Sequence, residues 1–376
     1  LKILFTIDSL QQGGAEQSLA SLIRHFPTET EVTVLYFFPK QDLLPEFDSL
    51  NIRLISVGLT SRYAWRKGMR ILSETIDTEK PDVVVSCLYW SNIVSRLVCK
   101  MKKIPLVGTL VSDSYSKQRT SNFSPTRNLA FRFFKQLDRW TAKVPVRWIA
   151  NSESIKISNA TILGIDPQKI SVVYRGRDTD TFSSWQSPPM YPFRFAFVGR
   201  LMETKGLGEL IEAFAELKTV HELVQLDIYG DGPFRKALEE MIHRLGMHNH
   251  IVLHGRVVDA WQQLYKSHCF VFPSWYEGFS GALVEAMMTG IPIIASDIPM
   301  NLEAVEDRKT AHVFKVRDVQ DLLSKMQETI NNFQKSKAMG EQARVDATNR
   351  FNQKNISKQY LQLIIEASEN QSKLKS

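Results

Sequence analysis

Residues 269–292 hold a complete strand, turn and helix, and that unit restricts the chain to few folds. Cys269-Phe270-Val271-Phe272 is an apolar run and reads as a strand. A glycine-containing turn follows, and a helical pattern begins near Ser280 and is stopped by Gly290 and Pro292. The first amides of such a helix have no internal partner and its dipole is positive there, so its start is an anion site. Glu277 in the turn and Glu285 about one and a half turns into the helix can both face that end. Carboxylates are poor company for a bare phosphate and good acceptors for hydroxyls, so the pattern points to a phosphorylated sugar.

The same order recurs along the chain. Residues 2–8 form an apolar strand ending in Asp8, and Gly13-Gly14-Ala15-Glu16 opens a helix through about His25. Strand-like runs follow at 32–38, 53–57, 83–87, 105–110 and 147–150, with helical patterns between most of them. This alternation predicts a parallel sheet wound with helices. Residues 183–192 lack periodicity and read as a linker, after which strands at 193–198, 225–229, 251–254, 269–272 and 293–296 alternate with helices at 206–218, 234–245 and 259–266. Charged helical sequence fills 318–333 and 335–369. The expected fold class is α/β with two doubly wound, Rossmann-like domains, 1–182 and 193–350, a division that suits 376 residues.

Composition sets the outer limits. With 43% hydrophobic and 23% charged residues the chain is globular, and its net charge of +7 suggests an anionic partner. Cys87, Cys99 and Cys269 have neither metal nor disulfide spacing, so a reducing, cytoplasmic setting is expected. No apolar run approaches the ~18 to 20 residues that span a bilayer, and Leu1-Lys2-Ile3-Leu4-Phe5 reads as a first strand, so a soluble or peripheral protein is expected. Gly13-Gly14 lacks the third glycine and the later acidic residue of a dinucleotide site. Asp178-Thr179-Asp180 offers too few ligands for a metal, the histidines 243, 248, 250 and 254 straddle a helix end, a turn and a strand and so lack metal-site spacing, and no nucleophilic triad has supporting local sequence.

Gly199-Arg200-Leu201-Met202-Glu203-Thr204-Lys205-Gly206 follows the strand at 193–198 directly, which puts Arg200 and Lys205 on a loop at its carboxyl end, where open α/β sheets bind ligands. Beside Glu277 and Glu285, two such cations would offset charge on a departing diphosphate. With Tyr229-Gly230-Asp231-Gly232-Pro233, Pro273-Ser274-Trp275-Tyr276-Glu277-Gly278-Phe279-Ser280 and the second glutamate eight residues on, the chain resembles the retaining, nucleotide-sugar-dependent glycosyltransferases of family 4. Gly13-Gly14-Ala15-Glu16 and Ala150-Asn151-Ser152 extend the resemblance over nearly the whole chain.

The resemblance implies the GT-B architecture: two facing doubly wound domains, acceptor in the first, donor held mainly by the second, and a final helix, 351–370, crossing back to the first. It further implies that Arg200 and Lys205 hold the donor diphosphate and Glu285 the ribose, while Glu277 and the loop Gly278, Phe279, Ser280 and Gly281 hold the donor sugar. Gly14 would admit the diphosphate and Arg256 would frame the base. The donor would be a nucleoside diphosphate sugar, UDP-linked by family precedent, used without a metal or other cofactor. Relatives carry a histidine where this chain has Thr109-Leu110-Val111-Ser112-Asp113-Ser114, so Ser112 or Asp113 takes that position. Where relatives have Asn-Gly-x-Asp this chain has Arg175-Gly176-Arg177-Asp178, and Arg175 either adds charge to the cleft or covers its rim.

Three stretches bear on the acceptor. Residues 126–143 place Leu129, Phe133, Leu137, Trp140 and Thr141 on one helical face and cations on the next, which is either a core helix or a docking face. Residues 62–70 and 100–103 are also cationic, the first with aromatics. They suit an anionic membrane with a lipid-linked acceptor, on the inner face of the cytoplasmic membrane, or an anionic glycan; nucleic acid is not expected. Two other readings compete with transfer to a glycan: a sugar-nucleotide epimerase, and a non-enzymatic membrane-bound scaffold with a degenerate cleft.

Overall fold

The structure, a computed structural model, describes residues 1–112, 115 and 125–372. It divides into two compact units, Leu1–Gly176 with Gln353–Ser376, and Arg177–Asn352.

The first unit runs β1 (Lys2–Ile7), α1 (Gly14–Arg24), β2 (Glu31–Tyr36), α2 (Leu44–Asp48), β3 (Arg53–Ser56), α3 (Trp65–Glu79), β4 (Val83–Cys87), α4 (Tyr89–Lys102), β5 (Leu106–Leu110), α5 (Pro125–Thr141), β6 (Arg147–Ala150), α6 (Glu153–Leu163) and β7 (Ile170–Val172), and a C-terminal helix, Gln353–Ser372, completes it. Its seven strands lie in the order β3-β2-β1-β4-β5-β6-β7, all parallel. Successive side chains of a strand point to opposite faces, and here both faces are covered, which is why the strands are apolar throughout. Ile3, Phe5 and Ile7 pack with Leu19 and Ile23 of α1 and Tyr360 and Ile364 of the C-terminal helix. Leu4, Leu35 and Val84 face Leu72 of α3 and Val94 and Val98 of α4.

The strand order reverses between β1 and β4, and the turn there is strained. Leu88 takes φ 76° and ψ 171°, a region that glycine alone occupies at little cost. Asp8, just after β1, holds the turn by accepting from the Ser91 amide (2.8 Å) and the Trp90 amide (3.4 Å) at the start of α4. Removal from water raises its carboxyl above the ordinary value of 3.8, while those amide bonds and the Arg62 charge pull the other way. Farther along α4, the buried Arg96 guanidinium donates to Asp138 and to Thr141 Oγ1 (3.1 Å) of α5 and lies over Trp148, 4.6 Å from its centroid. Tyr115 donates its hydroxyl to the same Asp138 carboxylate.

The second unit runs β8 (Phe193–Val198), α7 (Leu207–Val220), β9 (Val224–Tyr229), α8 (Arg235–Arg244), β10 (Ile251–Gly255), β11 (Cys269–Phe272), α9 (Gly281–Thr289), β12 (Ile293–Ser296), α10 (Pro299–Leu302), β13 (His312–Phe314), α11 (Val319–Asn331) and α12 (Phe333–Arg350). Its sheet is parallel in the order β10-β9-β8-β11-β12-β13, so the reversal falls between β8 and β11. Among the described residues no helix is long and apolar enough to cross a membrane.

Several expectations change. Residues 183–192 are not a free connection: Trp185 is buried in the second unit, its amide donating to Thr289 O (2.9 Å) and its indole to Ser267 O (3.0 Å). The chain instead enters that unit at Arg177 and leaves it at Asn352, where the Arg177 amide donates to Phe351 O (2.8 Å). The 335–369 pattern is broken at that exit, around buried Phe351. The expected helix at 259–266 is a 3₁₀ segment, Ala260–Lys266, and β7 and β13, at three residues each, are too short to show a period. Phe133 and Trp140 of α5 lie outside the core, on the surface.

Two predictions follow from the first unit. Arg96→Met leaves Asp138 buried without its cation, and unfolding in urea should show a loss of about 3–5 kcal/mol. Asp8 gives a pH signature. Because folding raises its pKa, the folded state holds more protons above pH 3.8, so its contribution to stability falls as pH rises through that window to the raised value. Measured by urea unfolding from about pH 4 to about pH 8, wild type should therefore lose stability relative to Asp8→Asn as pH rises; a constant or widening advantage would contradict the assignment.

Candidate functional site

At the β8/β11 reversal two loops are stitched backbone to backbone. Gly206 has φ +67°, and a Cβ there would collide with the Pro273 carbonyl. The Trp275 amide donates to Thr204 O (2.9 Å), fixing the loop after β11 to the 3₁₀ turn Glu203–Lys205 after β8. The loop after β9 closes on the same turn: Leu201 donates to Asp231 O (3.0 Å), and Gly230, at φ +143°, leaves no room for a side chain against Gly199 O.

This stitching brings Lys205 and Glu277, 72 residues apart in sequence, into an ion pair with 19% and 12% of their side chains exposed. The Lys205 ammonium also lies 5.7 Å from the centroid of Phe272. Arg200 is exposed on the same loop and makes no ion pair among the described residues. Arg256 is exposed just past β10, at the same carboxyl edge and two strands from β8. Sequence reasoning gave Lys205 to a phosphate and Glu277 to hydroxyls; in the structure each is the other's partner.

The start of α9 is the second half of the site. Ser280 caps it, its hydroxyl accepting from the Leu283 amide (3.3 Å). Gly281 begins the helix, and a Cβ on it would strike the Arg177 guanidinium, which lies across this end. Arg177 Nε donates to Glu285 Oε1 (2.8 Å), one turn along from Gly281 on the same helical face. Glu285, expected to receive ribose, is thus held by an arginine that sequence reasoning passed over. The sequence signal for it is the Arg175-Gly176-Arg177 triplet, whose second arginine is one residue from Gly176 just as the first is. Phe279, expected at the donor, has its ring buried against Phe351 (5.4 Å between centroids), so any contribution to a ligand comes from its backbone. Gly278 and Ser280 complete the loop between Glu277 and α9.

In the first unit, Gly14 begins α1, and Nη1 of Arg175 stands 2.8 Å from where its Cβ would be. Beside them Glu16 is buried, and loss of water, helped by the Asp8 charge, raises its carboxyl above the ordinary 4.5 while Arg175 draws it down. Ser112 lines a depression of about 920 Å³ at the carboxyl edge of the sheet, together with Asp8, Arg62, Leu88, Tyr89 and Thr109. Asp113 lies outside the described residues. Asp8 and Glu16 were not among the expected site residues, although Glu16 stands in the quoted glycine motif. The three thiols are buried, and burial pushes that of Cys87 up to about 12, so none is poised as a nucleophile.

Comparison with known proteins places this geometry. Residues 12–181 match the family model for Glycosyltransferase Family 4, and residues 180–346 match that for Glycosyl transferases group 1. An uncharacterized glycosyltransferase of Methanocaldococcus jannaschii is 35% identical over 105 residues, which is 28% of this chain and 26% of that protein. A second from the same organism is 31% identical over 172 residues, 42% of this chain and 44% of that one. The chain thus spans less than half the length of these relatives. The UDP-Gal:alpha-D-GlcNAc-diphosphoundecaprenol alpha-1,3-galactosyltransferase of Escherichia coli is 25% identical over 273 residues, 69% of this chain and 68% of that one. Anabaena HepE, solved in complex with UDP, superposes with a TM-score of 0.82 at 22% identity, covering 97% of this chain and 100% of that one, a likeness of fold. The two family models meet at residues 180–181 and between them take in every strand but β1, in two sheets each wound as the GT-B fold requires; the chain belongs to the family 4 glycosyltransferases.

Proposed function

We propose that the protein is a retaining glycosyltransferase that moves a sugar from a UDP-linked donor to a hydroxyl of a glycan or lipid-linked glycan, without a metal, in cell-envelope or polysaccharide synthesis. The observation that carries this reading is the β8/β11 edge. Lys205 pairs with Glu277 there, Arg177 pairs with Glu285 at the start of α9, and Arg200 stands exposed on the loop that carries Lys205. Cations and helix amides suit a diphosphate, and Glu277 and Glu285 suit hydroxyls. Further support comes from Anabaena HepE, solved with UDP and with UDP-glucose, and from the Escherichia coli relative, named for transfer from UDP-Gal to a lipid diphosphate sugar.

On this reading the chemistry is positioning and electrostatics. Arg200 and Lys205 offset the charge that grows on the departing diphosphate as the glycosidic bond breaks. That leaving group's own oxygen takes the proton of the acceptor hydroxyl on the same face, which retains the anomeric configuration. Glu277, oriented by Lys205, accepts hydrogen bonds from the donor sugar, and Glu285 does so from ribose as Arg177 shifts toward phosphate. Arg256 frames the base, and the acceptor falls to the first unit, where Gly14 and Arg175 stand together at the start of α1 and Ser112 lines the depression at the sheet edge.

The test is turnover with UDP-sugars and a glycan acceptor. Lys205→Ala and Arg200→Ala should each cut kcat by about 100-fold or more, the scale of losing one charge-stabilising group. Near-normal turnover in both would sink the reading, and isomerised sugar nucleotide formed without acceptor would replace it with epimerase chemistry.

A further inference from the structure

The three cationic stretches at 62–70, 100–103 and 126–143 are far apart in sequence, yet the first unit gathers them on one surface. Trp65, at the start of α3, stacks near Phe134 of α5 (6.4 Å between centroids, 23° between planes). Lys100, near the end of α4, sets its ammonium 5.3 Å from the centroid of Trp140 on α5. Helix α5 is thus the middle of the patch, and its two sides differ sharply. Asp138 and Thr141 face inward to Arg96, whereas Arg132, Phe133, Gln136, Arg139 and Trp140 are all exposed at one-face helical spacing. No carboxylate lies on that outer face between residues 131 and 143.

Phe133 and Trp140 are 66% and 64% exposed. Seven residues apart, they project on the same side of the helix about 10 Å from one another, so both can meet one plane. At the end of α4 Met101 is 63% exposed, and Asp77, the carboxylate brought there, is already taken by Lys102 (2.7 Å). A groove of about 450 Å³ runs between that end and Trp140, with Lys100, Lys103 and Lys143 at its rim and Ile104 and Val144 inside. None of these three lysines has an ion-pair partner among the described residues.

A soluble polyanion needs the cations alone and leaves three large apolar side chains in water. A bilayer interface uses both: aromatic and thioether side chains enter the boundary between headgroups and chains, and lysine and arginine reach from the same depth to phosphates. We propose that this face of the first unit docks on an anionic phospholipid surface, with Phe133 and Trp140 as the inserted anchors and the lysine-rimmed groove as a seat for a lipid phosphate. The inference rests on the first unit alone and stands or falls apart from the reading of the β8/β11 edge.

The experiment is cosedimentation of the full chain with vesicles of phosphatidylcholine, or of phosphatidylcholine mixed with phosphatidylglycerol. Wild type should pellet with the mixed vesicles and stay in solution with the neutral ones. The double variant Phe133→Ser/Trp140→Ser should lose affinity by about tenfold or more, the scale for removing two interfacial aromatics. Lys100→Glu/Lys103→Glu/Lys143→Glu should lose it as well, both with unchanged thermal melting because every altered side chain is at the surface. Three results would overturn the proposal: no preference for the anionic vesicles; vesicle binding untouched by the aromatic pair, which would make the face a simple polyanion site; or a concentration-dependent dimer in sedimentation velocity that Trp140→Ser dissolves, which would make it a contact between copies.

Discussion

The carboxyl edge of the second unit depends on one close approach of two backbones. Parallel strands β8 and β11 are neighbours in the sheet but distant in sequence, so nothing local forces the loops that leave them to touch. Gly206 permits it, through a positive φ and the absence of a side chain against the Pro273 carbonyl. Any other residue there would push the loops apart, breaking the bond from Trp275 to Thr204 and separating Lys205 from Glu277. The chemistry of the site is therefore set by backbone packing one layer beneath it.

The ion pairs that result are a means of keeping charges where a ligand can use them. Lys205 and Glu277 are largely removed from water, and either one alone would carry a desolvation cost with nothing to offset it. Paired, they are fixed in orientation before any ligand arrives, which lowers the entropy lost on binding. The same holds for Arg177 and Glu285, with a further constraint. Arg177 lies at the positive end of α9, where the helix dipole repels it, so Glu285 one turn along is what makes the position tenable. An anion arriving at that end would satisfy the arginine and the open amides together.

The central strands were legible in the sequence because a parallel sheet covered on both faces demands continuous apolar runs. What escaped has physical reasons. Strands β7 and β13 are three residues long and show no period. Residues 183–192 have no period either, but irregular chain can be packed chain, and Trp185 is anchored by two backbone carbonyls. Residues 126–143 suit a core helix or a docking helix on pattern alone; that Asp138 turns inward while Phe133 and Trp140 stay exposed depends on Arg96, which sequence periodicity could not connect to α5. Within the site, the motifs gave the residue types and their loops. They could not show that Lys205 would pair with Glu277, since pairing is a property of the β8/β11 adjacency.

Arg175 and Arg177 flank Gly176, and each resolves the same electrostatic problem in its own unit. Arg175 stands over Gly14 at the start of α1, and Arg177 over Gly281 at the start of α9. Both glycines are needed for a guanidinium to lie that close to the first turn. Both cations sit at a helix end that repels them, and both have a carboxylate of the same helix beside them, Glu16 in α1 and Glu285 in α9. A helix start covered by an arginine and balanced by its own glutamate is a stronger anion site than bare amides, because an incoming anion meets a full charge as well as a dipole. The triplet at the chain's crossing between units thus builds this arrangement twice, from residues that pattern matching alone would assign to a connecting loop.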